Sequence, residues 1–316
     1  MSALHVLVIY KRTTYQRYRG GESKRIRRLI DEGDVTVDRL LEAHEAHLDT
    51  LERARKALRE HGARAVFRHR HEPQPSDSWD LVVTLGGDGT LLWASHMVGA
   101  NTPMVAVNSA PEDSVGYFCA GDRHDVEETL ARAIAGALPV TELTRMRVDL
   151  DGDALSTRVL NDVLFAHECP AATTRYVIEL GERVEEHLSS GIWVGPAAGS
   201  TAAQSSAGGR VLPLGSPELQ FVVREPYHGF GGGSELTCGL VAPDQTLRIR
   251  SKIREARVFL DGAQKTRAVD IGAVLTMSRS DEPLSLLGLR RDGDRGVTSG
   301  SSGSSGSSAS APGACV

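Results

Sequence analysis

Residues 80–97, DLVVTLGGDGTLLWASHM, join a short apolar run to a helical pattern through three glycines. The run at 80–85 is typical of a buried strand, and residues 90–97 resume the spacing of a helix. Glycines at a strand end let the backbone approach a ligand closely, and the first turn of the next helix offers unpaired N–H groups to a phosphate. The segment therefore predicts a strand-to-helix turn that holds an anion beside Asp88.

Strand and helix patterns alternate on both sides of this segment. Residues 4–10 and 103–108 are apolar runs typical of buried strands, whereas residues 37–58 and 125–134 keep the apolar spacing of helices. Residues 11–25, KRTTYQRYRGGESKR, are polar and basic, and we expect a loop at the end of the first strand. This alternation predicts an open α/β sheet.

Beyond residue 140 the sequence changes to short alternating runs separated by glycine, proline or charged turns, which is typical of antiparallel sheets. We expect an α/β domain with an open Rossmann-like sheet over residues 1–140 and a β-rich, sandwich-like domain over 141–292. Residues 293–316 are Gly/Ser-rich low complexity and predict a flexible tail.

The composition narrows the class of protein. Of the 316 residues, 36 are Lys or Arg and 41 are Asp or Glu, and a net charge of -5 argues against a nucleic-acid-binding surface over the whole fold. The four cysteines are far apart and form no disulfide framework or zinc motif. The N-terminal apolar run is too short to span a membrane. We therefore expect a cytoplasmic protein that binds neither nucleic acid nor membrane.

Four motifs follow one another along the chain. They are GGDGT at 86–90, Asn108 with GYF at 116–118, the pair Asn161-Asp162, and SSGIWVGPAAGSTAAQSSAGG at 189–209. In this order they resemble the NAD kinase family over roughly residues 80 to 290. The segments NDVLFAHECPAATTRY and LQFVVREP, with the early loop YKRTTYQRY, are most similar to its plant-type NADH kinase branch.

The resemblance implies a two-domain kinase that uses ATP with Mg²⁺ or another divalent metal to phosphorylate the 2′-hydroxyl of the adenosine ribose of NAD⁺ or NADH. The dinucleotide is expected between the domains, and a homodimer or higher homo-oligomer is expected. In the family the aspartate of GGDGT acts as the base toward the ribose hydroxyl, and this role carries over to Asp88. No resident metal site is expected.

The resemblance also implies a set of binding residues. The pair Asn161 and Asp162 is expected to contact adenine and ribose, and Tyr117 and Phe118 to line the adenine pocket. Lys11, Arg12 and Asp261 are expected near the donor phosphates. The remaining substrate contacts implied are Gly86, Gly87, Gly89, Thr90, Gly199, Ser200, Thr201, Ala202 and Ser206.

Two residues depart from the commoner family pattern. Ser190 stands where an aspartate is common, and Ala203 stands where a tyrosine is common. The changes remove a hydrogen-bond acceptor and a stacking surface near the expected nicotinamide end. Because the NADH kinase branch shares both changes, we hypothesise that NADH is accepted well.

Other interpretations of the same residues stay open from the sequence. Asn161-Asp162 also fits an Asx turn, Asp261-Gly262 a hairpin turn, and Tyr117-Phe118 a core pair. A kinase of a different alcohol, a lipid or a sugar, shares a GGDG-type turn. A dinucleotide-binding protein without catalytic activity is the alternative from a different class.

Overall fold

The computed structural model describes residues 3–21, 24–70, 72, 78–227 and 235–289. These residues form two compact units, 3–141 with 284–289, and 142–283. The predicted tail at 293–316 lies outside the described residues. Within the described ranges, no helix is both long and apolar enough to cross a membrane.

The chain begins with alternating strands and helices and continues almost entirely in strands. Its first elements are β1 (His5–Tyr10), α1 (Thr14–Arg19), α2 (Lys24–Asp31), α3 (Arg39–Glu60), β2 (Arg64–His69), β3 (Leu81–Leu85), α4 (Asp88–Ser95), β4 (Met104–Asn108), β5 (Gly121–Asp122), α5 (Val126–Ile134) and β6 (Val140–Leu143). The later elements are β7 (Met146–Leu150), β8 (Asp153–Val159), β9 (Val163–His167), β10 (Thr174–Leu180), β11 (Arg183–Ser189), β12 (Ile192–Pro196), α6 (Ala203–Ser206), β13 (Leu219–Val223), β14 (Cys238–Val241), β15 (Thr246–Ser251), β16 (Ala256–Leu260), β17 (Lys265–Val269), β18 (Val274–Arg279) and β19 (Leu284–Leu287).

The first unit is built on a sheet with strand order β2-β1-β3-β4-β19-β6, and β5 pairs with β4. Strands β1, β2, β3 and β4 are parallel, with Tyr10 opposite Leu85 and Leu85 opposite Val107. Every residue of β3 and β4 is buried, as expected for a parallel sheet covered on both faces. The loops after β1, β3 and β4 therefore leave the sheet at the same edge, where ligands of open α/β sheets bind.

Helix α1 lies where the sequence led us to expect a loop. Thr13 caps this helix because its hydroxyl accepts the Gln16 backbone N–H at 3.2 Å, and the Gln16 side chain accepts the Thr13 N–H at 3.1 Å. This reciprocal capping box is a helix-start signal that the polar, basic composition conceals. Lys11 and Arg12 are thus held between a strand end and a capped helix.

Strand β19 joins the first unit, although the sequence assigned residues up to 292 to the second domain. Leu286 pairs in parallel with Met104 of β4, and the strand adds its apolar side chains to the core of that unit. A four-residue apolar strand carries no sequence signal for the sheet it joins. The chain therefore returns to its first unit after completing the second.

The second unit confirms the predicted β-rich, sandwich-like fold. Its two antiparallel sheets have the strand orders β11-β10-β15-β18-β7-β8 and β14-β13-β12-β9-β16-β17. Strand β15 alternates strictly between exposed and buried residues, and apolar side chains of both sheets form one core cluster.

Candidate active site

Asp88 is the first residue of α4, directly after the glycine turn that ends β3. Its carboxylate accepts the backbone N–H of Tyr117 at 2.9 Å on one oxygen and that of Phe118 at 2.9 Å on the other. The loop after β4 is therefore tied to the turn after β3 through one side chain. Each carboxylate oxygen has a second lone pair, so a half-buried Asp88 can still accept a ligand hydroxyl.

The glycines of the turn have different functions. A Cβ atom at Gly86 would overlap the Thr90 hydroxyl and lie 3.5 Å from the Lys11 Cδ atom, and one at Gly87 would overlap the Ser114 hydroxyl. Both glycines are thus required for packing within the protein. Gly89 has open space at its Cβ position and is exposed at the start of α4, so its backbone is accessible to a ligand.

Lys11 brings a positive charge to this turn. It follows β1, is half-buried, and its aliphatic chain approaches Gly86. Burial lowers the pKa of the Lys11 ammonium, and the charge of Arg70 after β2 lowers it further, whereas Asp113 raises it. Arg12 is exposed. Two half-buried basic side chains, Lys11 after β1 and Arg70 after β2, therefore lie at this edge of the sheet.

A cavity of about 170 Å³ lies in the loop that follows β4, lined by Asn108, Pro111, Val115, Gly116, Tyr117, Cys119, Gly121 and Asp122. Asn108 shapes this loop by donating its amide to the Ser114 carbonyl at 2.8 Å and accepting the Ala110 N–H at 3.2 Å. Tyr117 lines the cavity, whereas Phe118 is only 3% exposed and belongs to the core. Of the two aromatic residues expected at an adenine pocket, Tyr117 lines this cavity and Phe118 does not.

In the second unit, Asn161 and Asp162 lie between β8 and β9. The Asp261 carboxylate, at the β16–β17 turn, accepts the backbone N–H groups of Leu160 at 2.9 Å, Asn161 at 2.7 Å and Asp162 at 3.1 Å. The Asn161 amide donates to the Asp162 carboxyl at 2.9 Å. Asp261 therefore anchors the Asn161-Asp162 segment, and its contact with the donor phosphates stays a prediction.

Asp162 is only 6% exposed. Burial, followed by the negative charge of Asp261, raises the pKa of Asp162 from its usual 3.8 to about 7, although the bond from Asn161 opposes this shift.

The glycine-rich segment packs against this pair. A Cβ atom at Gly199 would overlap the Asn161 carbonyl oxygen, and one at Gly195 would lie 3.1 Å from the Asp162 Cα atom. Ser200 is buried and its hydroxyl bonds the Ala197 carbonyl at 2.7 Å and the Leu212 N–H at 2.9 Å.

The exposures of the remaining predicted contacts differ. Thr201 and Ser206 are exposed, and Ala202 is half-buried. Gly195 and the buried Gln204, which accepts a bond from Gln220 at 3.0 Å, lie inside the glycine-rich motif at 189–209 but were not among the predicted contacts. Ser190, one of the two departures noted above, donates its hydroxyl to Glu225.

The known proteins that this chain resembles are NAD kinases and NADH kinases. Residues 24–138 match the family described as "ATP-NAD kinase N-terminal domain". A "Probable NADH kinase" of Oryza sativa subsp. japonica is 34% identical over 260 residues, 75% of this chain and 80% of that protein. An NADH kinase of Arabidopsis thaliana is 34% identical over 227 residues, 65% of this chain and 71% of its own length.

Two solved structures share the fold. An NAD kinase from Archaeoglobus fulgidus in complex with ATP has a TM-score of 0.64 and 19% identity, covering 92% of this chain and 94% of that one. Yeast NADH kinase complexed with NADH has a TM-score of 0.67 and 16% identity, covering 90% and 84%. Because both identities are low, these two structures support the two-unit fold of the chain but not its function.

Proposed function

The chain belongs to the NAD kinase family, and we propose that it transfers the γ-phosphoryl group of ATP to the 2′-hydroxyl of the adenosine ribose of NAD⁺ and NADH. The observation that carries the proposal is Asp88 at the start of α4, with its two oxygens oriented by the N–H groups of Tyr117 and Phe118. A carboxylate fixed in this way accepts a hydroxyl proton at a defined position.

The reaction forms a bond between the ribose 2′-oxygen and phosphorus and breaks the bond between phosphorus and the oxygen that leaves with ADP. Phosphoryl transfer depends mostly on in-line positioning and neutralisation of charge. A carboxylate of ordinary basicity helps chiefly once the new O–P bond is forming. Asp88 then orients the hydroxyl and accepts its proton.

The donor is proposed to enter as a complex of ATP with a divalent metal. Lys11 and the exposed backbone of Gly89 at the start of α4 supply the positive charge and N–H donors that phosphate oxygens require. Tyr117 is proposed to contact adenine, and Asn161 and Asp162 the ribose of the acceptor. Arg12 and the exposed Thr201 are proposed as outer contacts.

NADH is proposed as a good acceptor, since Ser190 and Ala203 replace the acidic and aromatic residues commoner in the family. The serine hydroxyl is engaged by Glu225, so the acidic group of that region comes from a different residue. We also propose a homo-oligomer located in the cytoplasm, to be tested by light scattering and by cell fractionation.

The deciding experiment uses the purified protein with Mg·ATP and follows NADP⁺ and NADPH formation separately. Asp88→Asn is expected to lower kcat by about 10² or more while NADH still binds in calorimetry. Asp80→Asn is the matched control and keeps its turnover, because Asp80 lies at the other end of β3 and likewise accepts a backbone N–H, that of His5. Full turnover of Asp88→Asn contradicts the assignment of Asp88, and kcat/KM strongly favouring NAD⁺ contradicts the acceptor preference.

A further inference from the structure

One carboxylate in the second unit bonds three consecutive backbone N–H groups. Asp261 follows β16 and reaches Leu160, Asn161 and Asp162, which lie 99 to 101 residues earlier in the chain. Asp261 holds a positive φ of 48° and is followed by Gly262 at 106°, as in a tight hairpin turn. This turn places the Asp261 carboxylate against the Asn161-Asp162 backbone, and the charge of Asp261 acts on Asp162.

The side chain of Asp162 lies within the range of that charge. Among the described residues, no Lys, Arg or His forms an ion pair with Asp162, and its side-chain partner is the amide of Asn161. The nearby cations Lys265 and Arg145 act on Asp261 instead. Arg158, which acts on both cations, is paired with Glu282 at 2.7 Å.

A buried carboxylate that faces a second negative charge and lacks a cation is costly to ionise, and such a group takes up a proton instead. Burial and the charge of Asp261 accordingly raise the pKa of Asp162 to about 7. The protonated carboxyl can donate one hydrogen bond and accept others, whereas a carboxylate can only accept.

We propose that Asp261 is a positioning residue, which locks the backbone of Asn161-Asp162 and places its carboxylate beside the buried side chain of Asp162, so that Asp162 meets the dinucleotide as a hydrogen-bond donor. This inference rests on the proposed function, because it assigns Asp162 to the acceptor site of the kinase. It gives Asp162 the opposite hydrogen-bonding role from an ionised ribose-binding carboxylate. It also links substrate affinity to pH.

The first test measures the KM for NADH from pH 6 to pH 9 at saturating Mg·ATP. If the neutral form binds, KM rises as pH increases through 7, by about tenfold between pH 6 and pH 8. Asp162→Asn is neutral at every pH and still donates from its amide, so its KM is expected to stay low and flat. A flat profile for the wild type, or a large rise in KM for Asp162→Asn at pH 6, overturns the proposal.

The second test changes Asp261. Removing its charge lowers the pKa of Asp162, so Asp261→Asn should begin to lose NADH affinity at a lower pH than the wild type. Asp261→Glu keeps the charge and is expected to restore the wild-type midpoint. Asp151→Asn is the matched control, because Asp151 also has a positive φ, 52°, precedes a glycine and accepts the backbone N–H of Val274. A midpoint that does not move in Asp261→Asn overturns the proposed role.

A third measurement separates this inference from the proposed function. The carboxyl carbon of Asp162 is titrated by NMR in ¹³C-aspartate-labelled protein, with its signal assigned by its absence in Asp162→Asn. Titration near pH 7 supports the inference even if neither NAD⁺ nor NADH is phosphorylated, a result that would remove only the function. Titration near pH 4 refutes the neutral carboxyl whatever the activity.

Discussion

Replacing Gly199 with alanine tests whether the glycine-rich segment sets the position of Asn161. A Cβ atom at residue 199 would overlap the Asn161 carbonyl oxygen and lie 2.5 Å from the Asn161 carbonyl carbon. Carbon atoms in contact are normally separated by about 3.5 Å or more. One of the two backbones must therefore move by about 1 Å, because neither contact involves a flexible side chain.

The displacement has two measurable consequences. Overpacking of this kind lowers the free energy of unfolding by about 1–3 kcal/mol. A shift of about 1 Å in a substrate-positioning group lowers kcat/KM by about 10²-fold. We expect both effects for Gly199→Ala. The fall in kcat/KM should come mainly from a higher KM for NADH, because Asn161 is proposed to bind the acceptor.

The assay combines urea unfolding with steady-state kinetics for NADH. Gly215→Ala is the control, since Gly215 lies in the same unit, has no positive φ and has open space around its Cβ position. That variant should match the wild type in both measurements. A Gly199→Ala protein whose kcat/KM stays within threefold of the wild type would show that the position of Asn161 is not set by this contact.

Three further predictions concern the charged side chains Lys11, Asp162 and Arg145. Lys11→Met should raise the KM for ATP about tenfold and leave the KM for NADH unchanged, and initial-rate kinetics showing the reverse would assign Lys11 to the acceptor. Because the pKa of Asp162 is raised from 3.8 to about 7, its stabilising contribution is complete below pH 4 and is lost as pH rises through 7. Asp162→Asn should therefore gain up to about 4 kcal/mol of unfolding free energy relative to the wild type between pH 4 and pH 8, and parallel urea-stability profiles for the two proteins would contradict the shift. Arg145→Met should lower the thermal unfolding temperature by several degrees, since buried Arg145 donates to the carbonyls of Glu282 at 2.5 Å and Pro283 at 3.2 Å; an unchanged temperature would refute this.

The sequence predicts those parts of the fold in which a repeating pattern faces one core. Helix α3 places Leu51, Ala54 and Leu58 on its buried stripe, and Gly62 follows it at a positive φ of 71°. The expectation of a helix over 37–58 ended by that glycine is confirmed, because helical periodicity and a C-terminal glycine report local physics. The strands on either side of GGDGT are confirmed as well, because a short continuous apolar run indicates a strand buried on both faces.

Such local patterns do not predict which residues pair when they are far apart in the sequence. Asp261 and Leu160 are 101 residues apart, and no local signal links a hairpin aspartate to the backbone N–H groups it accepts. The position of β19 beside β4 has the same origin, since a short apolar strand fits either sheet. Sequence motifs identified Asp261 as a candidate site residue, but a motif gives the residue type and omits the groups that the residue contacts within the fold.

Asp88 in the first unit and Asp261 in the second make the same kind of hydrogen-bonded contact with the backbone. Each lies at a turn and accepts consecutive backbone N–H groups from another loop, two in one case and three in the other. An asparagine at residue 88 must place an NH₂ group against either the Tyr117 or the Phe118 N–H, so it loses an anchor together with the charge. Turnover lost with unchanged stability therefore identifies chemistry at Asp88, whereas turnover lost together with about 1–3 kcal/mol of unfolding free energy identifies anchoring of the loop after β4.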